Sequence, residues 1–272
     1  MRLKRIFHVF RNTPLGRETL LGAAHLCRLT GMELDVYIPR EERFALHLGG
    51  DLVEIRLDRS YLTSPGTAEG RVRALLEPLG VLHRLVGPDH RVASTLPEVP
   101  VDFELMSCPR SLVEPPTALA PGRLGAAVRR LVRSAPFPVA VMPVPAIEWD
   151  RVAVMVGGSE PALAALAWAR GVADAADVPL EVLTVDEEEA RERAREALSR
   201  AGFEEGPGRS WRVVPGPFEE ALWEVPRTAL VFAGAFGQRG IRAKLLGSRA
   251  ETIQRTLPNP LVLVGPSCPA AP

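Results

Sequence analysis

The chain has 272 residues, enough for one large domain or two of about 130. Lysine plus arginine and aspartate plus glutamate balance at 33 each, so no net field draws it to nucleic acid or to a membrane surface, and neither is expected as a partner. At 46% hydrophobic and 24% charged residues the composition is that of a globular protein, and no apolar run approaches a membrane span. The basic start holds only a short apolar run, Ile6 to Phe10, interrupted by a histidine and too short for the core of a signal peptide. Cys27, Cys108 and Cys268 form neither a metal spacing nor a disulfide framework, which predicts free thiols and a cytoplasmic location.

In chain order, residues 5–10 read as a buried strand, Asn12-Thr13 as a turn, 15–30 as a helix and 33–38 as a second strand. The stretch 40–70 has no counterpart later in the chain. In it Val53, Ile55 and Leu57 alternate with polar residues, predicting an added strand or a lid over the interface. Gly87-Pro88 and Pro97 follow, and Leu124-Gly125 opens a segment that runs through Arg133, Pro136 and Pro138 into an apolar strand at 139–142. After a proline-containing linker, 143–150, the series begins again: strand 151–156, helix 160–176, strand 180–185, helix 188–201, strand 211–214, helix 218–225, strand 228–233, a loop, helix 248–256 and strand 260–264.

The matches between the two series keep their order. Arg5 aligns with Arg151, Gly87-Pro88 and Pro97 with Gly216-Pro217 and Pro226, and Leu124-Gly125 with Leu246-Gly247. Strict strand–helix alternation predicts parallel strands, helices on both faces and right-handed crossovers. The expected fold class is therefore α/β, with two Rossmann-like modules, 1–143 and 150–266, each a parallel five-stranded sheet; the first carries an extra loop at 40–70. Helix 160–176 is apolar nearly all round and should be deeply buried, whereas Ala190, Ala194, Ala197, Leu198 and Ala201 make one apolar face on helix 188–201. Ligands of such sheets sit at the carboxyl ends of the strands where strand order reverses, which directs attention to the loops after Val156, Val185 and Ala233.

After the last of these comes Gly234-Ala-Phe-Gly237, then nine residues, then Gly247-Ser248 at a helix start. Glycines let the backbone approach an anion, and the free N–H groups of a helix's first turn, with its dipole, favour negative charge. Ser248 either caps the helix or donates its hydroxyl to a phosphate oxygen, and Arg249 stands beside it. Arg239, Arg242 and Lys244 inside the loop either neutralise a triphosphate or are solvated charges. A glycine-rich turn that binds nothing would present the same glycines.

The G-x-x-G-x9-G-S loop between strand and helix, within the doubled order of elements, resembles the universal stress protein family in its tandem form. In topology the resemblance covers nearly the whole chain; the motif covers only 234–248. It implies the adenine nucleotide alpha hydrolase-like form of the fold, and an ATP-binding stress-response or regulatory protein, with ATP, accompanied by Mg2+, as its ligand. By the same resemblance Gly234, Gly237, Gly247, Ser248 and Arg249 would meet phosphate and ribose, Val185 the adenine through its backbone, and Gly157-Gly158 the nucleoside side of the site. The family's final strands pair across a dimer; here strands 139–142 and 261–264 are expected to pair within one chain as an intramolecular pseudo-dimer, with a homodimer of chains left open.

Two departures stand out. Where the family carries an aspartate directly after the first strand, this chain has Val156-Gly157-Gly158-Ser159; Asp186 either takes that role or opens a helix with Glu187 to Glu189. In the first copy the corresponding loop, 107–122, lacks paired glycines, its prolines remove N–H donors, and Ala126 stands where Ser248 does. That copy is expected to be a degenerate packing partner, leaving binding to the second.

Rival motifs are absent or incomplete: there is no Walker A pattern and no dinucleotide fingerprint. Gly157-Gly158-Ser159-Glu160 lacks the first serine and the Asp-Ser pair of an S-G-G-x-D-S phosphate loop, and reads as a small turn capped by Ser159. All five histidines (His8, His25, His47, His83 and His90) fall in the first copy, leaving the second without an imidazole base. A dedicated enzyme is not expected; slow ATP hydrolysis is the most that would occur. The alternative is a structural or protein-interaction module that binds no nucleotide and keeps the glycine loop as a relic.

Overall fold

The computed structural model describes residues 4–92, 95–113, 124–236 and 248–270. The first half contains β1 (Arg5–Val9), α1 (Pro14–Thr30), β2 (Glu33–Tyr37), β3 (Arg43–Leu48), β4 (Asp51–Arg56), α2 (Pro65–Leu76), β5 (His83–Val86), β6 (His90–Val92), β7 (Leu96–Val99), β8 (Leu105–Cys108), α3 (Ala126–Ser134) and β9 (Val139–Val141). The second contains β10 (Arg151–Met155), α4 (Glu160–Ala176), β11 (Leu180–Val185), α5 (Glu188–Arg200), β12 (Arg209–Val214), α6 (Phe218–Ala221), β13 (Ala229–Gly234), α7 (Ser248–Thr256) and β14 (Leu261–Val264).

The helices that open each half start and stop by local chemistry. Thr13 caps α1 by accepting from the Gly16 N–H at 3.1 Å, and Pro14 occupies the first turn, where no N–H is needed. Ser159 caps α4 in the same way, with Pro161 in the first turn and Asp177 in the left-handed region (φ 52°) ending it. α4 buries Ala165, Leu166, Trp168, Ala169 and Val172, as its apolar sequence requires.

Ten strands form one sheet in the order β12-β11-β10-β13-β14-β9-β8-β1-β2-β5. Each half contributes five parallel strands in the same order, and the halves join where β14 runs antiparallel to β9, with Leu261 opposite Val141 and Leu263 opposite Val139. Side chains alternate across the sheet: Val152 and Val154 join the core beneath α1, α2, α4 and α5, whereas Ala153 and Met155 join the core shared with α3, α6 and α7. The two outer strands are β12 and β5. Each carries arginines tied to carboxylates: Arg212 to Glu181 and Arg209 to Asp174, both at 2.7 Å, and Arg84 to Asp35, also at 2.7 Å.

The expected extra loop at 40–70 is structured. Its first part is the hairpin β3–β4, closed by Gly49-Gly50 with both residues at positive φ, a two-residue turn flanked by alternating apolar residues. Its last residues begin α2. A second hairpin, β6–β7, completes a separate four-stranded sheet in the order β4-β3-β7-β6, which packs on the first half through Phe44, Leu46 and Ile55 against Phe7 and Tyr37. The alignment of Pro97 with Pro226 fails for this reason. Pro97 lies in β7, whereas Pro226 sits in the turn before β13, because the first half inserts a hairpin where the second has α6. Among the described residues no helix is long and apolar enough to cross a membrane.

His8 lies fully buried in central strand β1, its Nδ1 2.7 Å from Ser107 Oγ and its Nε2 without a partner among the described residues. Burial lowers its pKa from 6.5 to about 4, the bond to Ser107 offsetting part of the shift. Below pH 6.5 the unfolded chain takes up a proton that the folded chain refuses until about pH 4. Stability is therefore complete above pH 6.5 and declines as pH falls toward 4, by up to about 3 kcal/mol. Urea unfolding at stepped pH should show this decline in the wild type and a shallower one in His8→Gln.

Candidate functional site

In the second half the chain steps from β10 to β11 on one side and returns to β13 on the other, so strand order reverses between β10 and β13. A cleft of about 560 Å³ opens at their carboxyl ends. Met155, Leu183 and Ala233 make an apolar floor, Ala250 and Ile253 of α7 form one wall, and Arg193 and Arg249 supply positive charge. The volume falls within the range of small-molecule sites, and an apolar body with few polar groups is their usual character.

The turn after β10 depends on its lack of side chains. Gly158 has φ +84°, and a Cβ there would lie 2.6 Å from the Cβ of Arg193 on α5. Gly157 is roomier, its nearest neighbour being Arg249 Nη1 at 3.4 Å from such a Cβ. Ser159 then caps α4, accepting from the Ala162 N–H at 3.4 Å, as expected for a small capped turn. Gly234, at the end of β13, lies so close to the first turn of α4 that a Cβ would overlap the Ala162 nitrogen and the Pro161 carbonyl. Close packing of a helix end thus accounts for this glycine without a ligand.

Gly157, Gly158, Val185, Gly234 and Arg249 all line the cleft. Ser248 opens α7, one residue before Arg249. Gly237 and Gly247, with Arg239, Arg242 and Lys244, lie outside the described residues. The Val185 carbonyl accepts from the Glu187 N–H at 2.8 Å, and the Asp186 N–H donates to Val214 O at 2.8 Å, so the backbone after β11 is already engaged in a turn. Asp186 pairs with Arg191 at 3.1 Å just ahead of α5.

Arg249 pairs with Glu187 at 2.6 Å and lies over the Phe218 ring, 5.2 Å from its centre. Both charged groups are nearly half exposed, so the pair is weak and a phosphate offering a bidentate partner can displace the carboxylate. Phe236, inside the G-x-x-G turn, lines the cleft, and so do Arg193 and Phe218, which lie outside the motif. Arg193 had a signal in its position beside the Ala190-Ala194-Ala197 stripe; Phe218 had none beyond following a strand. Among the described residues no group of three His, Cys, Asp or Glu side chains is placed to hold a metal.

The corresponding crossing in the first half lies between β1 and β8. Arg11 stands where the alignment places Gly157, and it is buried. Its Nη2 reaches Asp58 at 2.7 Å, its Nε donates to Ser60 Oγ, and its guanidinium lies 5.1 Å from the centre of the Tyr61 ring. The Asp58 N–H bonds Leu112 O at 3.1 Å beyond β8, so the segment after β4 lies across the strand ends and closes them.

This architecture, two five-stranded parallel halves joined through their last strands with a cleft at one strand-order reversal, is a universal stress protein fold. Neither a protein-family model nor a curated protein matches the chain. Among solved structures it is similar to a universal stress protein from Archaeoglobus fulgidus DSM 4304, at 15% identity over 97% of this chain and 99% of that one, with a TM-score of 0.66. A Pseudomonas aeruginosa UCBPP-PA14 protein classed with the universal stress proteins is 18% identical over 97% and 94%, with a TM-score of 0.56. The cytoplasmic domain of a prokaryotic cation chloride cotransporter is 10% identical over 100% and 98%, with a TM-score of 0.51. At these identities the likeness establishes the fold.

The two glycines of the turn should respond differently to a methyl group. Gly158→Ala is expected to cost about 1–3 kcal/mol of stability through backbone strain and its collision with α5. Gly157→Ala should cost under about 1 kcal/mol, because among the described residues its neighbour is the movable tip of Arg249. Chemical denaturation of both variants checks the difference.

Proposed function

We propose that this chain is a tandem universal-stress-type protein whose second module, 150–266, binds an adenine nucleotide and whose first, 1–143, is degenerate and serves as its packing partner. The observation that carries the reading is the cleft at the β10–β13 reversal, with its apolar floor and its two arginines. On this reading the adenine ring lies on the apolar floor of Met155, Leu183 and Ala233, beside Val185. The phosphates of ATP, with Mg2+, then lie toward Arg193, Arg249, Gly234 and the first turn of α7, where Gly237, Gly247 and Ser248 complete the G-x-x-G-x9-G-S loop.

Binding through the second module alone is supported by the contrast at aligned positions, Gly157 against a buried, ion-paired Arg11. We read the site as one for binding, with slow ATP hydrolysis the most it is expected to perform. On this reading the protein is a cytoplasmic sensor or regulator that reports nucleotide level.

Calorimetric titration should give one ATP per chain, and a rise in melting temperature at saturating ATP. Arg249→Ala should weaken binding by about tenfold to a hundredfold, the loss of one charge-assisted contact. Gly247→Asp should abolish it and leave the fold intact. No heat and no melting shift at millimolar ATP would instead favour the interaction module with a relic loop, and two ATP per chain would overturn the assignment to the second module alone.

A further inference from the structure

Helix α7 carries Arg249 in its first turn and ends at Thr256, where the last carbonyls of a helix have no intrahelical partners. A residue of the other half supplies them. Arg110, two residues beyond β8, donates from Nη1 to the Gln254 carbonyl and from Nη2 to the Leu257 carbonyl at 3.1 Å. Its own carbonyl accepts from the Gly125 N–H at 2.8 Å, just ahead of α3, so the guanidinium is fixed to the first half while it holds the second. Burial draws its pKa down to about 10, which leaves it charged at neutral pH and suited to the negative end of a helix dipole.

The mouth of the cleft is held from the first half at another point. Arg133, in the last turn of α3, lies 5.0 Å from the centre of the Phe236 ring, and Phe236 lines the cleft in a left-handed conformation (φ 59°). From Ser248 to Thr256 α7 spans about 13 Å. Ala250 and Ile253 are buried in the core along its length. A tilt at its far end is therefore transmitted to Arg249.

We propose that Arg110 is a positioning residue for the second-half cleft: by fixing the carboxyl end of α7 it holds Arg249 and the helix's first turn against the anionic part of a ligand, so that the first half sets how strongly the second prefers a charged ligand to an uncharged one. This rests on the nucleotide reading of the cleft. Arg110 itself touches no ligand; its effect is on geometry, and it falls on phosphate contacts and not on the apolar floor.

The test is calorimetric titration of ATP and of adenosine into the wild type, Arg110→Met and Arg110→Lys. The wild type should prefer ATP. Arg110→Met should lose about tenfold in ATP affinity while adenosine affinity changes by less than about twofold. Arg110→Lys, which keeps the charge but cannot span both carbonyls, should fall between, and it decides the matter if circular dichroism shows Arg110→Met to be unfolded. A variant that keeps the wild-type ATP-to-adenosine ratio, or loses both affinities equally, overturns the role of Arg110 alone. A wild type that binds neither compound overturns the nucleotide reading and this role with it, and one that binds both alike also overturns it.

Discussion

The antiparallel pairing of β14 with β9 is the constraint on which the rest of the molecule depends. Strands Val139–Val141 and Leu261–Val264 are buried from end to end, and each is the last strand of its half. Left apart, each would present an apolar edge with unpaired backbone groups. Joined, they make one sheet of ten strands and bring the two halves within reach of each other's helices. The contacts of Arg110 with the end of α7, and of Arg133 with Phe236, exist because this seam sets the distance between α3 and α7.

Across that seam the two halves use the same strand order for opposite ends. In the second, a glycine after β10 leaves space at the reversal of strand order, and the surrounding side chains leave a cleft. In the first, an arginine takes the same place and is neutralised by Asp58, held through Ser60 and covered by Tyr61. The insertion that carries Asp58 and Tyr61 also carries the hairpin of the small sheet, so the closure of one crossing and the added sheet come from one stretch of chain. A buried arginine without Asp58 would be strongly unfavourable, which makes the two residues a unit.

Much of the fold was legible in the sequence because its signals are local. Helix α4 is bounded as its capping serine and apolar run indicate, and β11 and α7 match the periodicity of their residues. What was missed needed long-range pairing. The Gly49-Gly50 turn marks a hairpin, but nothing near it says that β3 will pair in parallel with β7 some fifty residues on. Of the residues lining the cleft, Gly157, Gly158, Val185 and Gly234 stand at the strand ends that the order of elements singles out, whereas Arg249 came only with the family resemblance. Arg193 and Phe218 come from other elements and are brought in by the crossovers. Gly234 carries a further lesson: the motif reads it as a ligand contact, whereas the packing of α4 demands a glycine there whether or not a ligand binds.

The seam hides two borders of the sheet and leaves two others, β12 and β5, facing outward. An unpaired border is a template on which a foreign strand can lay itself. Here each border is lined with guanidinium groups, Arg209 and Arg212 on one and Arg84 on the other, anchored to carboxylates on neighbouring elements and so held along the rim. A strand approaching either rim would have to desolvate or displace these ion pairs as its backbone paired there.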